Sequence, residues 1–413
     1  MERVVTFGCR LNSFESEVIK ENLKKSELDD VIVLNTCAVT KETERQVMQT
    51  IRKIRRAHPE KKIFVTGCAA QIDPHKYATM QEVDRVLGNE DKFIIDNYDL
   101  KKDTDILVTD IMTIKETAAH LVHSFENQTR AFIQIQNGCN HRCTFCIIPY
   151  ARGNSRSVPV GEIAKQLQIL VDQNYKEVVL TGVDISDYGL DLPGKPTLGQ
   201  MLKRILRLIP NLPRIRLSSI DVAEIDTDLL DLILHEERFM PHLHISLQSG
   251  DNMILKRMKR RHTREQLLEF CYKVRQHRPD TGFGADIIAG FPTETDEMFN
   301  NTLKLIHEAK LQYLHVFPYS ERKNTPAARM PQIDKQIRKE RAMILRKAGE
   351  KELYEFSVNH IGKRVSVIME QNNIGRSENF LKLYFNSNNV KVGDIIDAKI
   401  TKYENNKLFA EIV

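Results

Sequence analysis

The N-terminal part of the chain alternates short apolar runs with longer amphipathic stretches. Three runs have the length and the β-branched composition of buried strands, at residues 4–7, 31–34 and 63–65. A stretch with helical periodicity follows each run, at residues 13–25, 43–57 and 75–81. Strands and helices that alternate in this way predict a parallel sheet covered by helices. We assign this domain to residues 1–100, and the polar, aperiodic residues 101–127 to a connector.

From residue 130 onward the alternation restarts and repeats six times. The candidate strands are residues 131–136, 177–181, 214–218, 242–247, 284–289 and 313–317. Amphipathic helical segments separate these strands, which predicts a partial (β/α)6 barrel over residues 128–350. A long charged helix is predicted at residues 334–356.

The pattern changes after residue 360 to short alternations of apolar and polar positions. The candidate strands are residues 364–369, 380–384, 394–400 and 408–412. Such alternation predicts a small all-β barrel over residues 353–413. The predicted fold class is therefore α/β, with an N-terminal parallel-sheet domain, a central partial barrel and a small C-terminal all-β module.

Composition narrows the function classes. The chain has 413 residues, of which 41% are hydrophobic and 28% charged, and this balance excludes a disordered chain and a disulfide-rich mini-protein. No run of about 18 apolar residues occurs, and the N-terminus lacks the apolar stretch of a secretory signal. We therefore expect a cytoplasmic protein without a membrane partner. The net charge of +5 permits a polyanionic partner without requiring one.

Three of the seven cysteines form a C-x3-C-x2-C motif after the first barrel strand, namely Cys139, Cys143 and Cys146. Three thiolates on one loop can bind three irons of a cubane cluster and leave the fourth iron open to a substrate. Zinc sites prefer four ligands, and no second cysteine pair lies nearby. His141 lies within the loop, too close along the chain to complete such a site.

Three further cysteines each follow a predicted strand of the first domain, namely Cys9, Cys37 and Cys68. The ends of parallel strands share one edge of a sheet, so these thiols are predicted to converge on a second cluster. Taken singly, each cysteine would more often be a small buried hydrophobe. The seventh, Cys271, lies in a predicted helix and is expected to pack in the core.

The C-x3-C-x2-C motif, with Phe145 before its last cysteine, resembles the radical S-adenosylmethionine superfamily. Members of that family bind the amino and carboxylate groups of S-adenosylmethionine at the open iron and produce a 5′-deoxyadenosyl radical. The second cysteine set and the C-terminal module make the whole chain similar to the methylthiotransferase family, whose last module is the RNA-binding TRAM barrel. Residues 8–12, Gly-Cys-Arg-Leu-Asn, and the run from residue 139 to residue 153 carry this resemblance.

The resemblance also implies a substrate. The Cys-Arg-Leu-Asn opening and the Ile-Ile-Pro-Tyr-Ala-Arg-Gly run are similar to the branch that acts on N6-threonylcarbamoyladenosine at tRNA position thirty-seven. The product implied is the 2-methylthio derivative. The alternatives are the branch acting on isopentenyladenosine in tRNA, which typically has Gln-Met-Asn after the first cysteine, and the branch acting on an aspartate of ribosomal protein S12, which has Pro-Lys-Asn. An RNA-binding protein with structural zinc is a rival of a different class.

The cofactors implied are two 4Fe-4S clusters and S-adenosylmethionine, which serves as methyl donor and radical source. The partners implied are a tRNA anticodon stem-loop carrying threonylcarbamoyladenosine, an electron donor such as flavodoxin or ferredoxin, and a sulfur source. No catalytic residue beyond the cluster ligands is identified. The residues that the resemblance assigns to the cofactor are Phe145, Gly182, Asp184, Gln248 and Arg260, for each of which a packing or turn role is the alternative.

Two departures from the family pattern and two basic segments complete the picture. Thr293 replaces the usual glycine of a Gly-Phe-Pro-Gly-Glu-Thr turn, where a positive φ is costlier for threonine, and His262 stands where tyrosine is common.

The basic segments lie on predicted helices, and they are either RNA contacts or solvated faces. Their members are Arg52, Lys53, Arg55 and Arg56 in one, and Lys256, Arg257, Lys259, Arg260 and Arg261 in the other.

Overall fold

The computed structural model describes residues 3–26, 28, 30–99, 104–117, 122, 129–386 and 390–413. Its first unit is a five-stranded, all-parallel sheet whose strands follow one another in chain order. The strands are β1 (Val4–Thr6), β2 (Val31–Thr36), β3 (Lys62–Gly67), β4 (Arg85–Leu87) and β5 (Ile106–Leu107). The helices are α1 (Arg10–Lys25), α2 (Lys41–Ala57), α3 (Cys68–Ile72) and α4 (Pro74–Ala78). The predicted parallel sheet covered by helices is confirmed.

Part of the predicted connector, residues 101–127, belongs to this sheet, which is a correction to the sequence analysis. Ile106 and Leu107 form β5 and pair in parallel with Val86 and Leu87. A strand of two residues is too short to produce a detectable alternation, which is why the pattern did not reveal it. Residues 101–103, 118–121 and 123–128 lie outside the described residues.

The central unit is a partial barrel of parallel strands wrapped by helices. Two sheets, β10-β9-β6 and β11-β12-β13-β14, meet where Ile215 bridges Phe239. Its strands are β6 (Arg130–Gln134), β7 (Gln136–Asn137), β8 (Arg156–Ser157), β9 (Glu177–Thr181), β10 (Arg214–Leu217), β11 (Ser219–Ile220), β12 (His242–Gln248), β13 (Gly282–Ala289) and β14 (Tyr313–Pro318). Its helices are α5 (Ile148–Arg152), α6 (Val160–Asp172), α7 (Leu198–Leu208), α8 (Thr227–His235), α9 (Asn252–Met258), α10 (Arg264–His277) and α11 (Asp296–Glu308). All six predicted strands are present.

Alternation along the barrel strands separates an outer apolar face from an inner polar one. Leu243, Ile245 and Leu247 of β12 pack with the helices in the main core. His242, just before Leu243, and His244, between Leu243 and Ile245, face the other side, because successive strand residues point to opposite faces. Cys271 is 1% exposed in α10, as predicted for a core residue. No helix in the described part of the chain is both long and apolar enough to cross a membrane.

The last unit is a closed five-stranded barrel reached through the long helix α12 (Lys335–Val358). Its strands are β15 (Arg364–Gln371), β16 (Ile374–Ser377), β17 (Lys382–Tyr384), β18 (Ile395–Glu404) and β19 (Lys407–Ile412). The predicted all-β module is confirmed. The sequence pattern did not predict β16, because Gly375 and Arg376 interrupt the alternation of apolar and polar positions there. Phe380 was predicted to begin a strand, but it precedes β17 with a φ of +77°.

Phe380 joins this module to the lower end of the central barrel. The guanidinium carbons of Arg130, Arg216 and Arg376 lie 5.3, 5.1 and 4.4 Å from its ring centroid, and the His242 ring stacks on it at 4.3 Å. Cations over an aromatic face are attracted by the ring quadrupole. Because Arg130, Arg216 and His242 stand at or near the first residues of their strands, Phe380 covers the amino-terminal floor of the barrel.

Candidate active site with two cysteine sets

The N-terminal thiols, Cys9, Cys37 and Cys68, lie at the carboxyl-terminal edge of the first sheet. Cys9 precedes α1, Cys37 follows β2, and Cys68 is the first residue of α3. Gly8 has a φ of +104°, and a Cβ there would lie only 2.8 Å from Cys37 Cβ, so the first turn requires glycine. Burial, together with the neighbouring Cys68 and Cys9, raises the pKa of Cys37 to about 12. The structure thus brings together the three thiols that the strand ends suggested.

A buried arginine of the central barrel contacts these thiols. Arg152, the last residue of α5, donates from Nε to Cys68 Sγ at 3.1 Å. Its terminal nitrogens bind the carboxylate of Glu15 in α1, and Nη2 also donates to Asn12. Lys92 Nζ lies 2.7 Å from Glu15 Oε2, so one buried carboxylate faces two buried cations. Sequence analysis quoted Arg152 only within a motif, and no sequence signal marked Glu15 or Lys92.

The barrel thiols, Cys139, Cys143 and Cys146, lie on the loop that follows β7 at the carboxyl-terminal end of the barrel strands. The backbone N–H of Cys146 donates to the Cys143 carbonyl at 3.1 Å, which closes the loop around the last two thiols. Burial raises the pKa of Cys146 to about 12, and burial and then Asp184 raise the pKa of Cys139. A metal centre displaces such protons when it binds, because the thiolate is the ligand.

Charged side chains from neighbouring strand ends surround the barrel thiols. Asp184 Oδ2 lies 3.4 Å from Cys139 Sγ. Arg260 Nη1 lies 3.7 Å from Cys143 Sγ, and Nη2 donates to Asp221 Oδ2 at 2.8 Å. Among the described residues, the buried Nε of Arg260 has no hydrogen-bond partner. An unsatisfied buried donor beside three thiols fits a bound anionic group, such as the carboxylate of S-adenosylmethionine.

His141, inside the cysteine loop, is directed at carboxylates. Its Nε2 lies 3.2 Å from Glu224 Oε1 and 3.5 Å from Asp184 Oδ2. Burial lowers the pKa of this imidazole, although Asp184 opposes the shift. The ligand atoms of His141, Asp184 and Glu224 lie within 4.8 Å of one another, and the expectation that His141 does not complete the cysteine site stays a prediction.

The other residues assigned to the cofactor lie around the same end of the barrel. A Cβ at Gly182 would come within 2.7 Å of the Gln136 carbonyl oxygen, so this glycine is required for packing. Gln248 ends β12 with a φ of +70°. The Phe145 ring packs edge-on against Phe291, with centroids 6.5 Å apart. These contacts are those of the packing alternative, and the cofactor roles of Phe145, Gly182 and Gln248 stay predictions.

The two cysteine sets flank one space. Helix α5 begins two residues after Cys146 and packs against α3, which begins at Cys68. On the other side, Arg322, after β14, donates to the Ala38 carbonyl next to Cys37 and binds Glu44. The carboxyl-terminal edge of the sheet therefore lies over the mouth of the barrel.

Below this space, the inner face of the barrel carries a polar layer that sequence analysis missed. His244 Nε2 and His315 Nδ1 lie 3.0 and 3.1 Å from the same oxygen, Oδ1 of Asp286. Both histidines border a cavity of about 350 Å³, and Arg10, the first residue of α1, borders it from above. Arg10 was quoted in a sequence motif without a role. The polar positions of β12, β13 and β14 were the only available signal for the layer.

The structure divides each basic segment between internal and exposed side chains. Arg55 binds Asp84 and three backbone carbonyls, and Arg257 donates to Thr293. With Arg260 at the barrel thiols, these three arginines are committed within the protein. The exposed members are Arg52, Lys53 and Arg56 in α2, and Lys256, Lys259 and Arg261 near α9.

Comparison with known proteins agrees with this geometry. Residues 133–306 match the radical SAM superfamily, and residues 2–88 match uncharacterized protein family UPF0004. A threonylcarbamoyladenosine tRNA methylthiotransferase MtaB of Rickettsia prowazekii is 58% identical, with 98% of this chain and 95% of that protein covered. The protein of the same name from Bacillus subtilis is 36% identical, covering 96% of this chain and 93% of the relative. A tRNA-2-methylthio-N(6)-dimethylallyladenosine synthase of Ehrlichia canis is 32% identical, covering 94% and 93%.

Among solved structures, the radical S-adenosylmethionine methyltransferase TsrM of Kitasatospora setae with tryptophan and a cofactor analogue is similar in fold. Its TM-score is 0.55 at 13% identity, with 79% of this chain and 75% of that chain covered. Membership of the superfamily implies S-adenosylmethionine and a 4Fe-4S cluster as cofactors. The similarity to curated relatives spans nearly the whole chain. The chain belongs to the radical S-adenosylmethionine methylthiotransferase family, in its MtaB branch.

Proposed function

We propose that this protein converts N6-threonylcarbamoyladenosine, at tRNA position thirty-seven next to the anticodon, to its 2-methylthio derivative. The observation that carries the proposal is the pair of three-thiol sets that flank one space at the barrel mouth. Methylthiolation needs both radical generation and sulfur delivery close to one substrate atom. The 58% identity to a relative named for this activity favours threonylcarbamoyladenosine over isopentenyladenosine, since relatives named for the latter are more distant.

In this proposal the barrel thiols would hold the 4Fe-4S cluster that binds S-adenosylmethionine, and the N-terminal thiols a second 4Fe-4S cluster. When bound, these groups supply the one-electron chemistry and the methylated sulfur that replace the hydrogen at the unactivated C2 position. We propose that Asp184, beside Cys139, accepts a hydrogen bond from the ammonium group of the cofactor and that the unpaired Nε of Arg260 donates one to its carboxylate. We propose that Phe145, Gly182 and Gln248 complete this cofactor pocket.

The chain's own residues position the two thiol sets and limit water access. Arg152 fixes Cys68 while bonded to Glu15 in α1, so it ties the N-terminal thiols to the barrel. Phe380 and its surrounding arginines cover the barrel floor. The space between the sets is therefore entered from the mouth, where an extruded base would arrive.

The RNA contacts follow from charge and exposure. Bases in the single-stranded anticodon loop can be extruded into a pocket for a few kcal/mol at most. We propose that the exposed basic residues of α2 and α9 bind backbone phosphates and that the C-terminal barrel adds a second RNA contact. An electron donor such as flavodoxin or ferredoxin and a separate sulfur source complete the proposed system.

The test is an anaerobic turnover assay. Reconstituted protein, S-adenosylmethionine, sulfide, reductant and tRNA carrying threonylcarbamoyladenosine are incubated, and the tRNA is digested to nucleosides for mass spectrometry. We expect 2-methylthio-threonylcarbamoyladenosine from the wild type and none from Cys143→Ala. Cys37→Ala should abolish the methylthio product and still release 5′-deoxyadenosine. Cys271→Ala is the matched control, because this buried cysteine lies in α10 away from both sets, and it should retain the product.

The same assay separates the alternatives. Product only with isopentenyladenosine tRNA would move the protein to that branch, and product only with ribosomal protein S12 would move it to the third. A colourless protein that binds zinc and forms no 5′-deoxyadenosine would refute the radical chemistry altogether.

A further inference from the structure

The cavity inside the barrel contains an arginine that the fold does not pair. Within the described part of the chain, the guanidinium of Arg10 has no hydrogen bond and no carboxylate within 4.0 Å. Arg10 nevertheless points into the barrel, where it borders the same cavity as His242, His244 and His315. Burial lowers its pKa, and Arg130 and Arg216 lower it further. An arginine held beside two other arginines without a bonded anion is an unused anion site.

The charges around Arg10 are otherwise compensated. Arg216 Nε lies 2.6 Å from Glu177, and Arg130 lies 2.7 Å from Glu370. Asp286 is the carboxylate whose charge acts on Arg10, but both histidines of the polar layer already form hydrogen bonds to it. Arg10 is therefore the cation bordering this cavity that makes neither an ion pair nor a hydrogen bond in the described residues, and the carboxylate of Glu350 borders the same cavity.

Buried nitrogen atoms without hydrogen-bond partners also occur at the floor of the barrel. Nη1 of Arg130 and Nη1 of Arg216 are buried without a hydrogen-bond partner in the described residues, and so is Nε2 of His242. Buried polar groups in folded proteins are normally satisfied, so each such atom indicates a missing acceptor or water. Of these three residues, His242 borders the cavity that Arg10 also borders.

The position of Arg10 connects this anion site to the reaction. Arg10 directly follows Cys9, so its side chain enters the barrel from the edge that carries the N-terminal thiols. An adenine whose C2 lies between the two thiol sets has its N6 substituent free to enter the lumen. The threonylcarbamoyl group ends in a carboxylate a few bonds from N6, and a cavity of about 350 Å³ lies within the range of small-molecule sites.

We propose that Arg10 is the residue that selects the substrate, by binding the carboxylate of the threonylcarbamoyl group inside the barrel, with His244 and His315 available to its carbonyl and hydroxyl groups. This inference rests on the proposed function. Arginine binds a carboxylate through two parallel hydrogen bonds. An apolar isopentenyl chain in the same place would leave the guanidinium desolvated and unpaired, so the site also rejects the rival substrate.

The test is a binding measurement without reductant, so that it does not depend on turnover. Fluorescence anisotropy gives the Kd of anaerobic, cluster-loaded protein for two anticodon stem-loops at one salt concentration. One carries threonylcarbamoyladenosine, and the other carries the same group with its carboxylate converted to a methylamide. We expect the wild type to bind the acid about 10- to 100-fold more tightly than the amide, which is the range for a charge-assisted contact.

In Arg10→Gln the ratio of the two Kd values should fall to about 1, with the Kd for the amide little changed. A general structural defect would weaken both RNAs equally. Arg346→Gln is the matched control, since Arg346 lines the same cavity but already donates to the Val316 carbonyl, and it should keep the wild-type ratio. A ratio lost in Arg346→Gln and kept in Arg10→Gln would overturn the proposal.

Because Arg10 adjoins Cys9, the iron content of each variant is measured first. If Arg10→Gln does not load iron, Arg10→Lys is used, because lysine keeps the charge but makes no bidentate pair. Its ratio should fall by about 3-fold or more, and a wild-type ratio would refute the assignment. The turnover assay separates the two levels of failure. Wild type that forms no 2-methylthio product overturns the proposed function, whereas product with an unchanged ratio in Arg10→Gln overturns only the role of Arg10.

Discussion

Replacing Glu15 by glutamine should destabilise the N-terminal domain more than any single surface change. The Glu15 side chain is 0% exposed and is the carboxylate that binds both Lys92 and Arg152, whose side chains are 0% and 2% exposed. A glutamine offers one acceptor and turns an N–H group toward cations that can only donate. Removing one partner of a buried ion pair costs about 3–5 kcal/mol. We take about 3 kcal/mol, because Arg152 keeps Asn12 and Lys92 keeps Asn89.

The measurement is hydrogen–deuterium exchange of the β2 and β3 amides, which reports local opening in a protein of several domains. At about 4–8 °C per kcal/mol for a domain of about 100 residues, the thermal transition of this domain should also fall by about 12–24 °C. Glu42→Gln is the matched control, since its pair with Arg45 is 57% and 56% exposed and should contribute little to stability. Lys92→Met added to Glu15→Gln should recover part of the loss, because one uncompensated cation disappears with it.

The same residue predicts a pH dependence. Burial opposes ionisation of Glu15, but Arg152 and Lys92 outweigh burial and leave its pKa below the usual value. Its contribution is therefore complete above about pH 4.3, the ordinary value for glutamate, and is lost as the pH falls through the depressed pKa. Glu15→Gln should lack this acid-dependent part. The exchange rates give a free energy of local opening for each protein, and a difference below about 1 kcal/mol between Glu15→Gln and wild type would refute the reasoning. So would a double variant, Glu15→Gln with Lys92→Met, whose loss of stability equals the sum of the two single losses.

Three further predictions concern the barrel. The pKa of Asp221 is held at about 2, because hydrogen bonding from His262 and the charge of Arg260 outweigh burial. About 2–3 kcal/mol of stability should therefore vanish between pH 4 and pH 2. Denaturant titrations of Asp221→Asn should lack that loss. Thr293 has a φ of +70°, a conformation that is strained for threonine. Thr293→Gly should therefore raise the free energy of unfolding by about 1 kcal/mol in the same titrations. A decrease would mean that the contacts of the threonine side chain outweigh the strain. Phe380→Ala empties the barrel floor and should cost about 3–5 kcal/mol, seen as a lowered thermal midpoint; an unchanged midpoint would contradict the floor assignment.

Sequence patterns predicted the parts of this protein that depend on local periodicity. The six barrel strands and both cysteine sets were predictable, because strand length and the position of a cysteine after a strand are properties of short segments. β5 was missed because two residues carry no period, and β16 because Gly375 and Arg376 break the alternation. Thr293 shows the converse: a departure from a motif correctly marked a place where the backbone has a positive φ.

The rest of the site depends on contacts that no local pattern encodes. Glu15 meets Lys92 across 77 positions of the chain and Arg152 across 137. A glutamate on an amphipathic helix is usually solvated, and only the docking of α5 against α3 makes this one buried. Arg10 presents the same difficulty, since the first turn of a helix gives no indication of which neighbouring domain its side chain enters.

The buried ion network joins the domain that carries the N-terminal thiols to the barrel loop that carries the other three. Arg152 belongs to the barrel loop that starts with the barrel thiols, yet its guanidinium is satisfied only by Glu15, Asn12 and Cys68 of the first domain. Separating the domains would leave the buried guanidinium of Arg152 without its bonded partners and Glu15 with Lys92 alone, or require water to enter. The association of the sheet edge with the barrel mouth is therefore favoured by the same residues that hold Cys68. Because Arg10 and Glu15 lie on the same helix, α1, the domain contact that aligns the thiols also places Arg10 inside the barrel. Alignment of the thiols and the proposed selection of substrate are thus two consequences of one helix position.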